Sequence, residues 1–450
     1  MLFERITSEG LAHHSYILGD RGSAVVIDPR LDCDVYVDIA SKNGMRITDI
    51  LETHRNEDYV TGSVELSALT GASVWHADPE LDYQYGAPAR EGQVWKIGSW
   101  QIEAISAPGH TLGSMAYVLK DPAGVPHAVF TGDAIFAGDV GRVDLLGMDR
   151  AEELAGMLYE SIFQKILPLG DGVLLCPAHG AGSVCGSAIT DRPWTTVGME
   201  RLHNPKLRVG SRAEFVKSVA VELERPPYFR RMEELNVKGH RLKRHAIPPL
   251  SPAEVGEALD ECVILDTRSE VAYGGAHIPP SQFIWTDGLS ALAGWFLSYD
   301  MPLILVGDEI DRAARILVRM GYDEISGYLS GGMLAWHMAG LESSSVRTVT
   351  VQELCRHLDQ GGQAWILDVR SDEEVSEVNI TGAHHIHVTQ LPRRMDEVPR
   401  ESAVYIFCGS GMRSMVAASF LKRHGWNSIA VVLGGLAGWK SVTCPVVRQV

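Results

Sequence analysis

The C-terminal part of this chain repeats itself, and the repeat limits sharply what it can fold into. Leu265-Asp266-Thr267-Arg268 returns as Leu367-Asp368-Val369-Arg370, and Gly331-Gly332 with Trp336 returns as Gly434-Gly435 with Trp439. Between these marks each copy runs through an apolar strand, a loop and an amphipathic segment that closes on Gly321-Tyr322 or Gly425-Trp426. A period of roughly 100 residues holds one α/β unit with its own core, so two such units are expected in tandem, over residues 246–345 and 346–450.

Ahead of them, residues 1–195 alternate short apolar strands with turns rich in Gly and His. Ser23 to Pro29 and Ile47 to Thr53 read as strands, the second delivering His54 at its end, and Val64 to Thr70 reads as a helix. Trp100 to Ile105 alternates with period two and runs into Pro108-Gly109-His110, Ala128-Val129-Phe130 leads to Asp133, and Val173-Leu174-Leu175 leads to His179. Chemically active side chains delivered at strand ends, from segments far apart in sequence, are what a layered α/β scaffold supplies. The stretch from 195 to 245 is more polar and helical in pattern. It ends in the basic run Lys238-Gly239-His240-Arg241-Leu242-Lys243-Arg244-His245, followed by Pro248-Pro249, which reads as a solvated linker. The first domain with its helical extension and linker is therefore expected over residues 1–245.

Composition narrows the partners. A net charge of −17 over 450 residues argues against sequence-independent binding to nucleic acid or to anionic membranes. No apolar run reaches the length of a membrane span, and Met301 to Val306 reads as a buried strand. The first residues lack a basic stretch followed by an apolar one, so no signal peptide is expected and a cytoplasmic setting is the default. Cys33, Cys176, Cys185, Cys262, Cys355, Cys408 and Cys444 are scattered, with no C-x-x-C pair, so neither a disulfide framework nor a thiolate zinc site is expected.

Four polar motifs of the first domain stand in a telling order. They are Thr53-His54-Arg55-Asn56-Glu57-Asp58-Tyr59, Pro108-Gly109-His110-Thr111, Thr131-Gly132-Asp133 and, last, His179. The series resembles the metallo-β-lactamase superfamily over about residues 10–195, with Asn56 and Tyr59 standing where the His-x-His-x-Asp-His signature has its second and third histidines. Gly141-Arg142-Val143-Asp144, downstream of Asp133, places the resemblance in the glyoxalase II-like branch. It implies an α/β fold, an αββα sandwich. In dinuclear zinc members one metal takes both His-x-His histidines and the Gly-His-Thr histidine, the other takes the Asp-His pair and the late histidine, and the Thr-Gly-Asp carboxylate bridges. An amide is a poor zinc ligand beside imidazole, and tyrosine is protonated at neutral pH, so a tight two-zinc site is disfavoured here.

What survives is His54, His110 and Asp133. Two histidines and a carboxylate with open positions suit non-haem Fe(II) that activates dioxygen. The persulfide dioxygenases, a branch of the same fold, use the equivalent positions. Asn56, Asp58, Tyr59, Arg142 and His179 are then expected around the metal, orienting its ligands or touching substrate; for Arg142 and Asp144 two roles are open, positioning substrate or tying the metal loop to the scaffold, the second expected for Asp144. His13, His14, His76 and His127 match no motif and are expected on the surface or in the core. Cys176 and Cys185 are expected as inert buried thiols.

The second repeat carries a different chemistry. Phe407-Cys408-Gly409-Ser410-Gly411-Met412-Arg413-Ser414 follows the strand Ala403 to Phe407 and precedes a helix expected over Met415 to Arg423. At a helix N-terminus the backbone N–H groups and the macrodipole favour an anion, so a thiolate is stabilised there and can take up a sulfane sulfur. Gly409 and Gly411 permit the curvature, and Arg413 adds positive charge. The segment resembles the Cys-x-x-Gly-x-Arg-Ser loop of rhodanese domains, which implies a persulfide-carrying Cys408 and assigns Asp368 and Arg370 to bracing the loop. Asn379 replaces the His of the family's His-Ile-Pro element, which the first repeat keeps as His277-Ile278-Pro279. The first repeat has Gly307-Asp308-Glu309 instead of the loop, with no Cys and two residues fewer before its helix, and is expected to be an inactive rhodanese-like domain.

Together the resemblances imply a persulfide dioxygenase fused to a rhodanese, oxidising a low-molecular-weight persulfide such as that of glutathione to sulfite at one Fe(II). Cys408 would pass sulfur to sulfite or another acceptor, in sulfide detoxification. Fusion raises the effective concentration of a shared intermediate when geometry lets the sites communicate. Two alternatives stay open: a zinc-dependent thioester hydrolase with an attached sulfurtransferase, and a metal-free scaffold with sulfur transfer alone. Neither nucleic acid nor membrane is an expected partner, while a homo-oligomer is compatible with the sequence.

Overall fold

The structure, a computed structural model, describes residues 1–186, 188–243 and 246–440. Two residues of the expected linker, Arg244 and His245, lie outside the described residues, as do Cys444 and the end of the second repeat. The chain divides into two compact units, the first built on Met1–Lys243.

In that unit two six-stranded sheets pack face to face. The first contains, in spatial as in chain order, β1 (Leu2–Ser8), β2 (His13–Asp20), β3 (Ser23–Ile27), β4 (Arg46–Leu51), β5 (Ser73–His76) and β6 (Ala87–Pro88). The second contains β7 (Val94–Ile97), β8 (Trp100–Ser106), β9 (Met115–Lys120), β10 (Pro126–Gly132), β11 (Leu174–Pro177) and β12 (Thr195–Thr196). Alternation along the strands sorts the side chains. Tyr16, Leu18, Val25 and Ile27 meet Ile102, Ala104, Tyr117 and Phe130 between the sheets. On the opposite face, Ile17 and Val26 pack against Tyr36 and Ala40 of the helix Asp34–Lys42 and against Leu66. Beyond the second sheet, Ala116, Val118 and Val129 pack on Leu154, Leu158, Ile162 and Phe215. Burying each large apolar side chain contributes about 1.5–3 kcal/mol, so covering both faces of both sheets fixes the αββα layering. The expected helix runs Ser63–Thr70, and the polar stretch that follows the sandwich folds into Val197–His203, Arg212–Val219 and Phe229–Lys238.

The second unit holds the two repeats. β13 (Pro249–Leu250), β14 (Val263–Asp266), β15 (Ser281–Phe283), β16 (Leu303–Val306) and β17 (Ile325–Leu329) form a sheet of order β13-β17-β16-β14-β15. β18 (Arg347–Thr350), β19 (Trp365–Asp368), β20 (Ala383–His385), β21 (Val404–Phe407) and β22 (Ile429–Leu433) take the corresponding order β18-β22-β21-β19-β20. Every pairing is parallel. The sequence repeat is thus a repeat of topology. The copies also touch: Gln282 of β15 donates to Ser419 Oγ at 2.7 Å, and the Phe283 N–H donates to the same oxygen at 3.0 Å. Ser419 lies on the helix Met412–Arg423 that follows the Cys408 loop, so the first copy braces that helix.

Two expectations need correction. The second copy's helix begins at Met412 rather than Met415, which puts Arg413 and Ser414 in its first turn. The first copy's helix, Ile310–Arg319, then follows its strand after Gly307, Asp308 and Glu309, one residue fewer than the four from Cys408 to Gly411, not two. Cys33, Cys176, Cys185, Cys262 and Cys408 are thiols, while Cys355 is disulfide-bonded. Among the described residues no helix is long and apolar enough to cross a membrane.

Candidate metal centre and sulfur loop

Strand ends bring the expected residues of the first domain together. His54 follows β4, Asp133 follows β10 and His179 follows β11, while His110 lies in the loop between β8 and β9. His54, Asn56, Asp58, Tyr59, His110, Asp133 and His179 are all buried. Asp133 Oδ2 lies 3.7 Å from His54 Nε2 and 3.6 Å from His110 Nε2. Neither Nε2 has a hydrogen-bond partner, and the separations exceed hydrogen-bond reach.

The other ring nitrogens explain this orientation. Thr53 Oγ1 donates to Asp28 Oδ2 at 2.8 Å and accepts from His54 Nδ1 at 2.9 Å. The His110 Nδ1–H donates to the Arg142 carbonyl at 2.8 Å. Both imidazoles therefore present an Nε2 lone pair to the space beside Asp133. Gly132, with φ +53°, permits the approach, since a Cβ there would stand 2.6 Å from Thr53 Oγ1. His179 Nδ1 donates to Asp133 Oδ1 at 2.7 Å, fixing the carboxylate, and its Nε2 lies 3.0 Å from Asp58 Oδ2. Burial alone would raise the Asp133 carboxyl, but the His179 and His54 imidazoles outweigh it and hold the group well below the usual carboxylate range.

The two substituted positions behave differently. Asn56 keeps its amide beside the cluster, with Oδ1 unpartnered. Tyr59 stacks on His13 at 3.8 Å between ring centroids, and burial keeps its phenol protonated. His13, which matched no motif, is thus part of this wall. The Arg142 guanidinium is fully engaged, with Asp144 at 2.7 and 2.8 Å and with the carbonyls of Leu223, Val184 and Glu224. No N–H is left for a substrate, so of the two roles expected for Arg142 the bracing one is realised.

Two residues, Glu57 and Asn236, escaped the sequence reading, while Cys185 is the buried thiol expected, pushed up by burial. Glu57 is fully buried and lies 3.6 Å from His110 Nε2 through its unpartnered Oε2, so that His54, Glu57 and His110 could hold an ion between them. Cys185, expected as inert, groups with Asp58 and His179 and also with His110 and Asp133. Asn236 donates to the carbonyls of Asn56 and Tyr59 and accepts from the Thr61 N–H, at 2.8, 2.8 and 2.9 Å, clamping the motif loop from the helix Phe229–Lys238. A signal for it existed: Asn236 is the polar member of the buried stripe Phe229, Met232, Leu235.

In the second repeat Cys408 is buried and the Gly411 N–H donates to its Sγ at 3.1 Å. The loop carbonyls are tied down from behind. Leu436, Ala437 and Gly434 donate to the carbonyls of Cys408, Gly409 and Ser410 at 2.9, 3.2 and 2.9 Å. This close backing requires glycine, because a Cβ on Gly435, whose φ is +44°, would stand 2.1 Å from the Cys408 carbonyl. Ser414 Oγ is buried and unpartnered. Arg413 does not face the loop as a free charge: Glu374 takes it in a bidentate pair of 2.6 and 2.7 Å. Arg370 grips Asp368 and donates to the carbonyls of Glu374 and Val378, bracing the helix that carries Glu374.

Layering, donor set and loop define a metal-site sandwich followed by two sulfur-transfer-type domains. The Metallo-beta-lactamase superfamily profile matches residues 9–180, and the Rhodanese-like domain profile matches 251–339 and 350–442. The chain is 32% identical over 219 residues to the mitochondrial persulfide dioxygenase ETHE1 of Bos taurus, covering 45% of this chain and 74% of that one. It is 26% identical over 214 residues to the hydroxyacylglutathione hydrolase GloC of Haemophilus influenzae, covering 43% and 91%. A crystal structure titled metallo-beta-lactamase, from Staphylococcus aureus subsp. aureus COL, shares 29% identity and superposes with a TM-score of 0.66 over 73% of this chain and 98% of that one. The chain belongs to the metallo-β-lactamase superfamily, among the persulfide dioxygenase and glyoxalase II homologues, and continues into two rhodanese-like domains. Members of that superfamily bind metal, and the buried cluster fits one: its unpartnered atoms include imidazole nitrogens of His54 and His110 and a carboxylate oxygen of Glu57, close enough together to share an ion.

Proposed function

We propose that this protein oxidises a low-molecular-weight persulfide, such as that of glutathione, to sulfite at one Fe(II), and transfers sulfane sulfur at Cys408. The supporting observation is the convergence of the unpartnered Nε2 atoms of His54 and His110 on Asp133 Oδ2. His54, His110 and Asp133 would hold the ion, and bound there it supplies dioxygen activation. Thr53 and the Arg142 carbonyl keep both imidazoles in the ligating tautomer, and His179 orients the Asp133 carboxylate. Tyr59 and His13 close the side of the site where a second metal would sit in the dinuclear relatives. One persulfide, one dioxygen and one water give the thiol, sulfite and two protons, with four electrons passing from the sulfane sulfur to dioxygen.

At the second site the Cys408 thiolate attacks a sulfane sulfur, the S–S bond of the donor breaks and a thiolate leaves. Sulfite then attacks the outer sulfur of the Cys408 persulfide, giving thiosulfate and restoring the thiolate. The Gly411 N–H steadies the charge on sulfur throughout. Domain limits of 1–245, 246–345 and 346–450 belong to the same proposal, with the middle domain inactive.

Anaerobically purified protein should hold one iron per chain and consume oxygen on addition of glutathione persulfide, and Asp133→Ala should abolish both. A second reading, a zinc thioester hydrolase, draws on the Asp58, His179 and Cys185 trio. It predicts zinc in the purified protein and oxygen-independent cleavage of a glutathione thioester, a result that would overturn the first.

A further inference from the structure

We propose that Glu57 is a fourth protein ligand to the metal, so that the site is made of two imidazoles and two carboxylates rather than the three residues of the motif reading. The inference rests on the cluster being a metal centre, but not on its being an oxygenase.

Three observations carry it. Glu57 is completely buried, and its Oε2 has no hydrogen-bond partner. That atom lies 3.6 Å from His110 Nε2, the same separation that His110 Nε2 keeps from Asp133 Oδ2, and His54 Nε2 lies 3.7 Å from Asp133 Oδ2. Such distances are too long for hydrogen bonds, yet two bonds of about 2.0–2.2 Å to a shared ion span about 3.3–3.6 Å at tetrahedral angles and slightly more as the angle opens. The other oxygen, Oε1, is held at 3.2 Å by Arg55, which Glu233 holds in turn at 3.1 Å. One oxygen anchored and the other aimed inward is the arrangement of a ligating carboxylate oriented from behind.

The alternative for Glu57 leaves its inward-facing oxygen without a hydrogen-bond partner in a buried cluster that already contains Asp58 and Asp133, an unfavourable arrangement. A divalent ion relieves it. Two carboxylates balance its charge. Glu57 adjoins the position where the superfamily signature has its second histidine, so the acid compensates for Asn56.

The test uses the full chain, stripped of metal and titrated with Co(II), which reports coordination through its visible spectrum. Glu57→Gln should bind Co(II) at least about 100-fold more weakly than wild type, with an altered visible band. On adding Co(II), the same variant should gain less in melting temperature than wild type gains. A cooperative melting transition of the metal-free variant reports that the domain carrying residue 57 is folded, and sulfur transfer at Cys408 reports the second unit. Should Glu57→Gln fail to fold, Glu57→Asp keeps the charge and shortens the reach, and intermediate affinity is expected. An affinity within about threefold of wild type, with an unchanged band and full stabilisation by Co(II), overturns the Glu57 assignment alone. Wild-type protein that binds no metal overturns the metal-centre reading itself.

Discussion

The two reactive sites of this chain are built in opposite ways. The Cys408 loop is local: eight consecutive residues carry the nucleophile, the curvature and the helix start, and its carbonyls are already paired by the backbone of Gly434 to Ala437. The cluster around Asp133 is dispersed. Its members come from four separate chain segments, and the atoms facing inward, the Nε2 of His54 and His110 and the Oε2 of Glu57, are left without partners. A finished local loop needs only its substrate. A dispersed cluster with orphaned donors is incomplete until a cation enters, and its precision depends on residues that never face the metal, such as Thr53 and Asn236.

The comparison predicts separable losses, and the largest come from the central groups. Asp133→Ala removes the carboxylate toward which both histidines point, so metal content and persulfide-dependent oxygen uptake should fall by at least about 100-fold. Sulfur transfer from thiosulfate to cyanide should remain within about twofold of wild type. Cys408→Ser should do the reverse, abolishing sulfur transfer while leaving metal content and oxygen uptake intact. If either variant lost both activities while folded, the division between a local and a dispersed site would be wrong.

Legibility in the sequence follows the same division. Cys408 and its glycines could be read because the motif is contiguous, and His54, His110 and Asp133 because the order of four motifs survives long insertions. The αββα layering was implied by the resemblance, whereas period-two alternation in segments such as Trp100 to Ile105 indicated only strands with one buried face. Glu57 could not be found by spacing. Its role is set by His110, brought next to it by tertiary packing, and a Glu among Arg55, Asn56 and Asp58 looks like a solvated charge. The first turn of the Cys408 helix was placed late because glycines at 409 and 411 mask its start, where Met412 already has helical geometry.

A middle-sized effect probes the supports of the dispersed site. Asn236 lies 180 residues from Asn56 in sequence, yet it holds both the Asn56 and Tyr59 carbonyls. Asn236→Leu fits a similar volume but strands two buried carbonyls and the Thr61 N–H, so unfolding by urea should show a loss of about 2–4 kcal/mol. Metal affinity should drop about tenfold, because the loop bearing Asn56 to Tyr59 is no longer pinned. Asn236→Asp retains an acceptor for Thr61 and should cost less. Unchanged metal affinity in the leucine variant would show that the motif loop holds its own shape, as the Cys408 loop does.

The smallest effect concerns the Arg413–Glu374 ion pair beside the local site. Arg413 lowers the Glu374 carboxyl from 4.5 to about 2, chiefly through their hydrogen bonds, although burial opposes the shift. The folded value lies below the unfolded one, so the pair stabilises the fold fully above about pH 4.5 and loses that contribution as the pH falls towards 2. Both side chains are partly exposed, at 26% and 36%, and solvent screening limits the gain to about 0.5 kcal/mol. The melting-temperature difference between wild type and Glu374→Gln should therefore be small and constant from pH 5 to 7, and should shrink below pH 4.5. Sulfur-transfer rates at pH 7 should fall only a few-fold, because Glu374 orients Arg413 while the Gly411 N–H still serves the sulfur. A fall as large as that of Cys408→Ser would mean that the loop, for all its contiguity, depends on a distant carboxylate as heavily as the metal cluster depends on its own supports.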